Sequence, residues 1–318
     1  MKAMKSVMYS FFLLCLSMLS GCGGKDAEII EEEIDPPGAP SKTWQEDWGT
    51  GKDKHDMLLQ RVYYDDDVAI YFDEDMDFSQ KWMDALLPKV WRYTKSVYGD
   101  FGKENRLYCI MHANKYSGGH PASYLDASHG NRNAIDNGSG RDGNTSWKDE
   151  YDSYGIPIHE VGHIVEGGSK GIRESPAFGI WGDSKWCEIY TYDVYKGIGM
   201  NTEAKLTYDI CMATSDVYPR PGTHWFRDWF YPIYSKYGGS KVLNEFFVLL
   251  SKNFPTHKDD TGTYSLYDRG MNMGEFIHFW SGAAGVNLKE QATLAFGWSD
   301  DYEAQFMQAQ EDFPNVNY

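Results

Sequence analysis

Hydrophobic and polar positions change period several times along the 318-residue chain. "DVAIYFD", Asp67 to Asp73, is a β-branched and aromatic run that predicts a strand. "SQKWMDALLPKVWRYTKSVYG", Ser79 to Gly99, sets Trp82, Leu86, Val90, Tyr93 and Val97 at helical spacing, with Pro88 expected to kink the helix. "RLYCIMHA", Arg106 to Ala113, predicts another strand. Lys115 to Thr145 is rich in Gly, Asn, Asp and Ser and reads as a long loop, within which "NRNAIDNG" is a short strand lining a cleft. "IPIHEVGHIVEGG", Ile156 to Gly168, is an amphipathic helix: Ile158, Val161 and Val165 share one face, and His159, His163 and Glu166 another. Pro157 suits its first turn, Gly167-Gly168 its end, and Gly162 keeps it thin where another backbone approaches. "HWFRDWFYPIYSKYGG", "SKVLNEFFVLLSKNF" and "GEFIHFWSGAAGVNL" make the remainder mostly helical. Strands before the histidine helix and helices after it predict an α+β fold of two lobes with a cleft between them.

Composition adds a compartment. The formal charge of -17 disfavours nucleic acid and anionic lipid surfaces as partners, which need basic stripes. The first 24 residues carry Lys2 and Lys5 and then an apolar stretch, Val7 to Leu19, too short to span a membrane stably. They end in Leu19-Ser20-Gly21-Cys22, which resembles the lipobox of bacterial lipoproteins. That resemblance implies a signal peptide over 1–21 and lipid on Cys22. Residues 22–50 read as an acidic flexible tether. Its acids resemble the surface-export signal of some Gram-negative bacteria, implying an outer-membrane lipoprotein facing the exterior, with membrane contact through the lipid alone. The folded part is then an N-terminal lobe, 51–198, carrying the histidine helix, and a helical C-terminal lobe, 199–318, expected to be monomeric. Cys109, Cys187 and Cys211 form no disulfide framework and no CxxC pair, so each reads as a small buried residue rather than a zinc ligand.

Two histidines one turn apart, with a glutamate after the first, can grip one zinc ion while the carboxylate works on water. "HEVGH" at His159 to His163 resembles the signature of the zincin metallopeptidases. The metzincin continuation is excluded, because Glu166 and Ser169 stand where glycine and then histidine or aspartate are required. The gluzincin branch takes its third ligand from a glutamate on a later helix. Glu188, in "DSKWCEIYTYDVY", shares a helix face with Tyr192 and Tyr195 and is favoured. Glu174 in "IRESP" and Asp183 at a turn are the alternatives. The stretch from Gly274 to Trp298 is similar to the helical C-terminal part of enhancin-like gluzincins, which cleave peptide bonds in glycoproteins such as mucins.

The resemblance implies a zincin-like two-lobed fold, with a mixed sheet-and-helix lobe followed by a mainly helical one. It also implies a Zn2+-dependent endopeptidase acting on extracellular protein or glycoprotein. His159, His163 and Glu188 hold the metal, Glu160 is general base and then acid, and Tyr195 or His224 donates to the oxyanion, with Tyr192 as a further candidate. Asp228 is placed to orient His224. His112, His120 and His129 read as loop or strand histidines rather than ligands. A rival reading is a carbohydrate- or glycoprotein-binding surface lipoprotein without catalysis, in which the 11 tryptophans and 23 tyrosines stack on sugars.

Overall fold

A computed structural model describes residues 35–51, 54–140 and 147–318. The signal peptide and Cys22 lie outside the described residues. The chain divides into two units, Met1–Ala39 and Pro40–Tyr318, and the second carries the fold described below.

Its larger sheet has six strands: β1 Thr43–Gln45, β2 Leu58–Tyr64, β3 Val68–Phe72, β4 Leu107–His112, β5 Ser117–Ala122 and β6 Asn133–Ser139, in the order β1-β2-β3-β4-β6-β5. β3, β4 and β6 run parallel, and the outer pairings are antiparallel. β3 and β4 are buried at every residue, as strands covered on both faces must be, which is why they read as continuous apolar runs. Alternation sends Ile70, Cys109, Met111 and Ile135 into the core shared with the helices. Ala69, Tyr71, Tyr108, Ile110 and Ala134 face the other way, under Trp44 and Leu59. Trp44 is therefore core, and the tether expected to run to residue 50 ends earlier: the folded unit starts at Pro40 and β1 pairs with β2.

Lys115 to Thr145 is not one loop. It contributes β5 and β6, with the Asn133 to Gly138 part of "NRNAIDNG" buried between β4 and β5 rather than at a rim. Glycine made these strands hard to read. Gly138 lets Tyr116 cross against β6, where a Cβ would collide with the tyrosine's backbone.

The helices are α1 Trp82–Tyr98, α2 Tyr151–Gly168, α3 Phe178–Trp181, α4 Lys185–Gly197, α5 Asn201–Ala213, α6 Tyr231–Lys236, α7 Ser240–Asn253, α8 Met273–Ala284, α9 Lys289–Phe296 and α10 Asp300–Asp312. A small sheet, β7 Ile172–Arg173, β8 Thr256–Lys258 and β9 Ser265–Tyr267, ties the end of the α2 region to the C-terminal half. α2 begins at Tyr151, so Pro157 lies inside the helix and not in its first turn. Among the described residues no helix is long and apolar enough to cross a membrane.

Aromatic side chains fill the helical core. Trp181 has its ring 5.5 Å from Trp186, 5.6 Å from Phe246 and 6.0 Å from Phe276. Nine of the 11 tryptophans are buried, which removes the motive for reading them as sugar platforms. Pro40–Tyr318 forms one compact unit, within which the boundary expected at 198/199 lies. It falls between α4 and α5, which pack together with the rings of Tyr192 and Tyr208 6.2 Å apart. The architecture is mixed α/β.

α8 and α10 touch backbone to backbone at Gly274, where a Cβ would strike the main chain of Gln305 and Phe306. Gly274→Ala is expected to force these helices apart and cost about 1–3 kcal/mol. The check is the thermal unfolding midpoint, and an unchanged midpoint contradicts this packing.

Candidate active site

α2 lies against the β5 edge of the large sheet on one side and against α4 on another, and both contacts depend on glycine. A Cβ on Gly162 would meet Tyr190 Cδ1 at 2.9 Å and Cys187 Sγ at 3.0 Å, so α4 seats its side chains directly on the α2 backbone. Trp186 Nε1 also donates to the Gly162 carbonyl at 3.3 Å. The close neighbour of Gly162 is thus a pair of side chains, where a backbone was expected. On the other side, a Cβ on Gly119 of β5 would overlap the Glu160 side chain.

These contacts aim His159 and His163 into a cleft of about 1010 Å³. Their Nε2 atoms stand 3.1 Å apart. Glu166 accepts a hydrogen bond from His163 Nδ1 at 3.0 Å and another from the Trp181 indole. The carboxylate fixes the Nδ1–H tautomer of His163 and leaves its Nε2 lone pair facing the cleft, the arrangement by which proteins orient a metal-binding imidazole. Burial, with His163 beside it, lowers His159 to about 4 and keeps that ring neutral. Glu160 is buried, and its Oε2 has no hydrogen-bond partner. Burial pushes its carboxyl up to about 7, opposed by His163 and assisted by Asp183 and Asp136.

Glu174, Asp183 and Glu188 all line this cleft. Asp183 Oδ1 comes within 3.4 Å of His163 Nε2. Ser184 holds the cap position of α4 without a side-chain bond, and Asp183 just before it leans toward the histidine. Two ligand atoms each about 2.0 Å from a tetrahedral ion lie about 3.3 Å apart, a spacing matched by the His159–His163 pair at 3.1 Å and by the His163–Asp183 pair at 3.4 Å, while Asp183 is not within 4.8 Å of both imidazoles. Neither Glu188 nor Asp183 is grouped with both imidazoles within 4.8 Å. The Glu188 carboxyl is raised to about 7 by burial, and its charged neighbours are Lys185 and Asp216. The α4 side chain grouped with both imidazoles, within 4.8 Å, is Cys187, one residue earlier on the helix. Its thiol is buried and pushed well up by that burial, so it stands as a neutral wall. Glu174 adopts φ 66° and leaves its side chain largely exposed beside Arg173.

The oxyanion candidates lie elsewhere. Tyr195 is fully buried with no partner for its hydroxyl, and Tyr192 packs among Tyr208, Phe226 and Tyr231. His224 Nδ1 bonds the Thr214 carbonyl at 2.7 Å, while Asp228 pairs with Arg227 instead of orienting it. The tyrosine that does line the cleft is Tyr151, in the first turn of α2.

No family model and no curated protein matches this chain. Among solved structures it is similar to a functionally unknown conserved protein from Bacillus anthracis str. Ames, at 13% identity and a TM-score of 0.46. The likeness covers 77% of this chain and 50% of that one, so the chain spans about half the length of that protein.

Glu166→Gln keeps the side-chain volume but weakens the acceptor for His163 Nδ1. It is expected to lower metal affinity about 10–100-fold, measured by competition with a chromogenic chelator. Unchanged affinity would mean that Glu166 does not set this imidazole.

Proposed function

We propose that this chain is a zinc-dependent endopeptidase of the zincin type, carried on a lipid-anchored extracytoplasmic protein and acting on extracellular protein or glycoprotein. The observation that carries the reading is the His159–His163 pair at 3.1 Å with buried Glu160 between them in sequence, all three lining one cleft. His159 and His163 would hold the ion, with Glu188 of α4 as third ligand and Asp183, 3.4 Å from His163 Nε2, as the alternative; both line the cleft. Zinc bound there supplies Lewis acidity, which polarises a carbonyl and eases deprotonation of water.

The chain's own residues supply the rest. Glu160, partly neutralised by burial and without a hydrogen-bond partner at Oε2, takes a proton from the attacking water and delivers it to the departing amide nitrogen. Gly119 leaves it the space it occupies alongside β5. β5 ends the sheet and lines the cleft through Ser117, Gly118 and Gly119. A strand edge of this kind offers main-chain donors and acceptors to an extended peptide, whatever its side chains. Cys187, buried and protonated, closes one wall without competing for the proton.

Glu160→Gln is expected to leave zinc content unchanged and cut hydrolysis of a casein or mucin substrate by about 10²–10⁴-fold. Equal cleavage by the two proteins would end the peptidase reading. Metal analysis then decides the third ligand: Glu188→Ala is expected to lose the ion, while Asp183→Ala keeps it. The opposite pattern would give the role to Asp183.

A further inference from the structure

The sheet face turned away from α2 carries a second cluster. Glu46 follows β1, His55 bridges back to Trp48, His112 ends β4 and Asp136 lies within β6. All four are buried, and one ligand atom from each lies within 4.8 Å of the others. The approaches close into a ring: Glu46 Oε1 to His55 Nδ1 at 3.2 Å, His55 Nδ1 to Asp136 Oδ2 at 3.4 Å, Asp136 Oδ1 to His112 Nε2 at 3.3 Å, and His112 Nε2 to Glu46 Oε1 at 3.0 Å. Ligands of a tetrahedral ion with bonds of about 2.0 Å stand about 3.3 Å apart.

Two further observations point to a cation. Asp136 Oδ1 is buried with no hydrogen-bond partner although His112 Nε2 is 3.3 Å away, so the two atoms face each other without the alignment of a donor and an acceptor. The surroundings also orient the four groups. Asp73 Oδ2 accepts from His112 Nδ1 at 3.1 Å, the Trp48 indole donates to Asp136 Oδ2 at 2.9 Å, and the Met57 amide donates to Glu46 Oε2 at 3.3 Å. His55 is held between the Trp48 ring at 4.0 Å and the Tyr116 ring at 3.5 Å.

We propose that Glu46, His55, His112 and Asp136 form a second metal site, closed on all sides by protein and suited to zinc. Two imidazoles and two carboxylates are ligands zinc accepts, and a full protein set without an open position is the mark of a structural site. Such an ion pins the segment from Glu46 to Met57 onto the sheet and braces β6, whose neighbour β5 backs Glu160. The competing arrangement fills the cluster with protons: burial depresses His112, but Asp136, Asp73 and Glu46 hold its imidazolium up to about 11. Zinc would displace those protons.

The test uses the full chain carrying His159→Ala and His163→Ala, so that this proposal and the peptidase reading fail separately. After loading with zinc chloride and dialysis against zinc-free buffer, one zinc per chain is expected by elemental mass spectrometry. Adding His55→Gln and Asp136→Asn should reduce that content at least about tenfold. If the added substitutions unfold the chain, the helix variant alone decides: chelation should lower its unfolding midpoint and zinc should restore it. Retention of no zinc by the helix variant, zinc that survives the cluster substitutions, or a midpoint indifferent to chelation each overturns the proposal.

Discussion

Glu166 joins the chemistry of the cleft to the core of the protein. One carboxylate oxygen accepts from His163 and the other from the Trp181 indole. Trp181 is fully buried among Trp186, Phe246 and Phe276. A buried carboxylate is costly unless both oxygens are satisfied, and here satisfying them fixes the tautomer of one imidazole and anchors α2 to the aromatic core. The orientation of His163 is thus held by the same packing that holds the helices together. The residue one turn after the second histidine, on the same face, is the hinge of the arrangement, and the high aromatic content has its explanation in the wall behind it.

The sheet edge works on both faces. On β5, Gly119 faces Glu160 while its neighbour His120 stacks on Trp48 with ring centroids 4.2 Å apart. On β6, Asp136 pairs with His120 in register and turns into the buried His/carboxylate cluster. Successive residues of a strand point to opposite faces, so a single pair of strands separates the cleft from the cluster while mechanically linking them. Asp136 even raises the Glu160 carboxyl slightly from the far side. The cluster and the cleft thus share one pair of strands.

Reading the sequence recovered those parts whose signals are local. β3 and β4 announced themselves as apolar runs, α1, α7 and α8 by their period, and the histidine pair by i, i+4 spacing. β5 and β6 stayed hidden inside a polar, glycine-rich stretch, because their glycines serve close approach and their polar residues are paired across strands. The start of α2 lies five residues before the sequence reading of Ile156, since a proline inside a helix looks locally like one at its start.

The amino-acid sequence by itself determined that two imidazoles and a glutamate share one helical turn, because that relation spans only four residues of backbone geometry. Only the tertiary structure decided what meets them. Adjacent positions around the start of α4 differ by about a quarter-turn of helix, so which of Asp183, Cys187 and Glu188 comes near the imidazoles depends on how α4 docks on Gly162. The second cluster draws on positions from 46 to 136, brought together by strand register and not by any spacing along the chain. Periodicity carries information over a few residues, whereas convergence of distant side chains is fixed by packing.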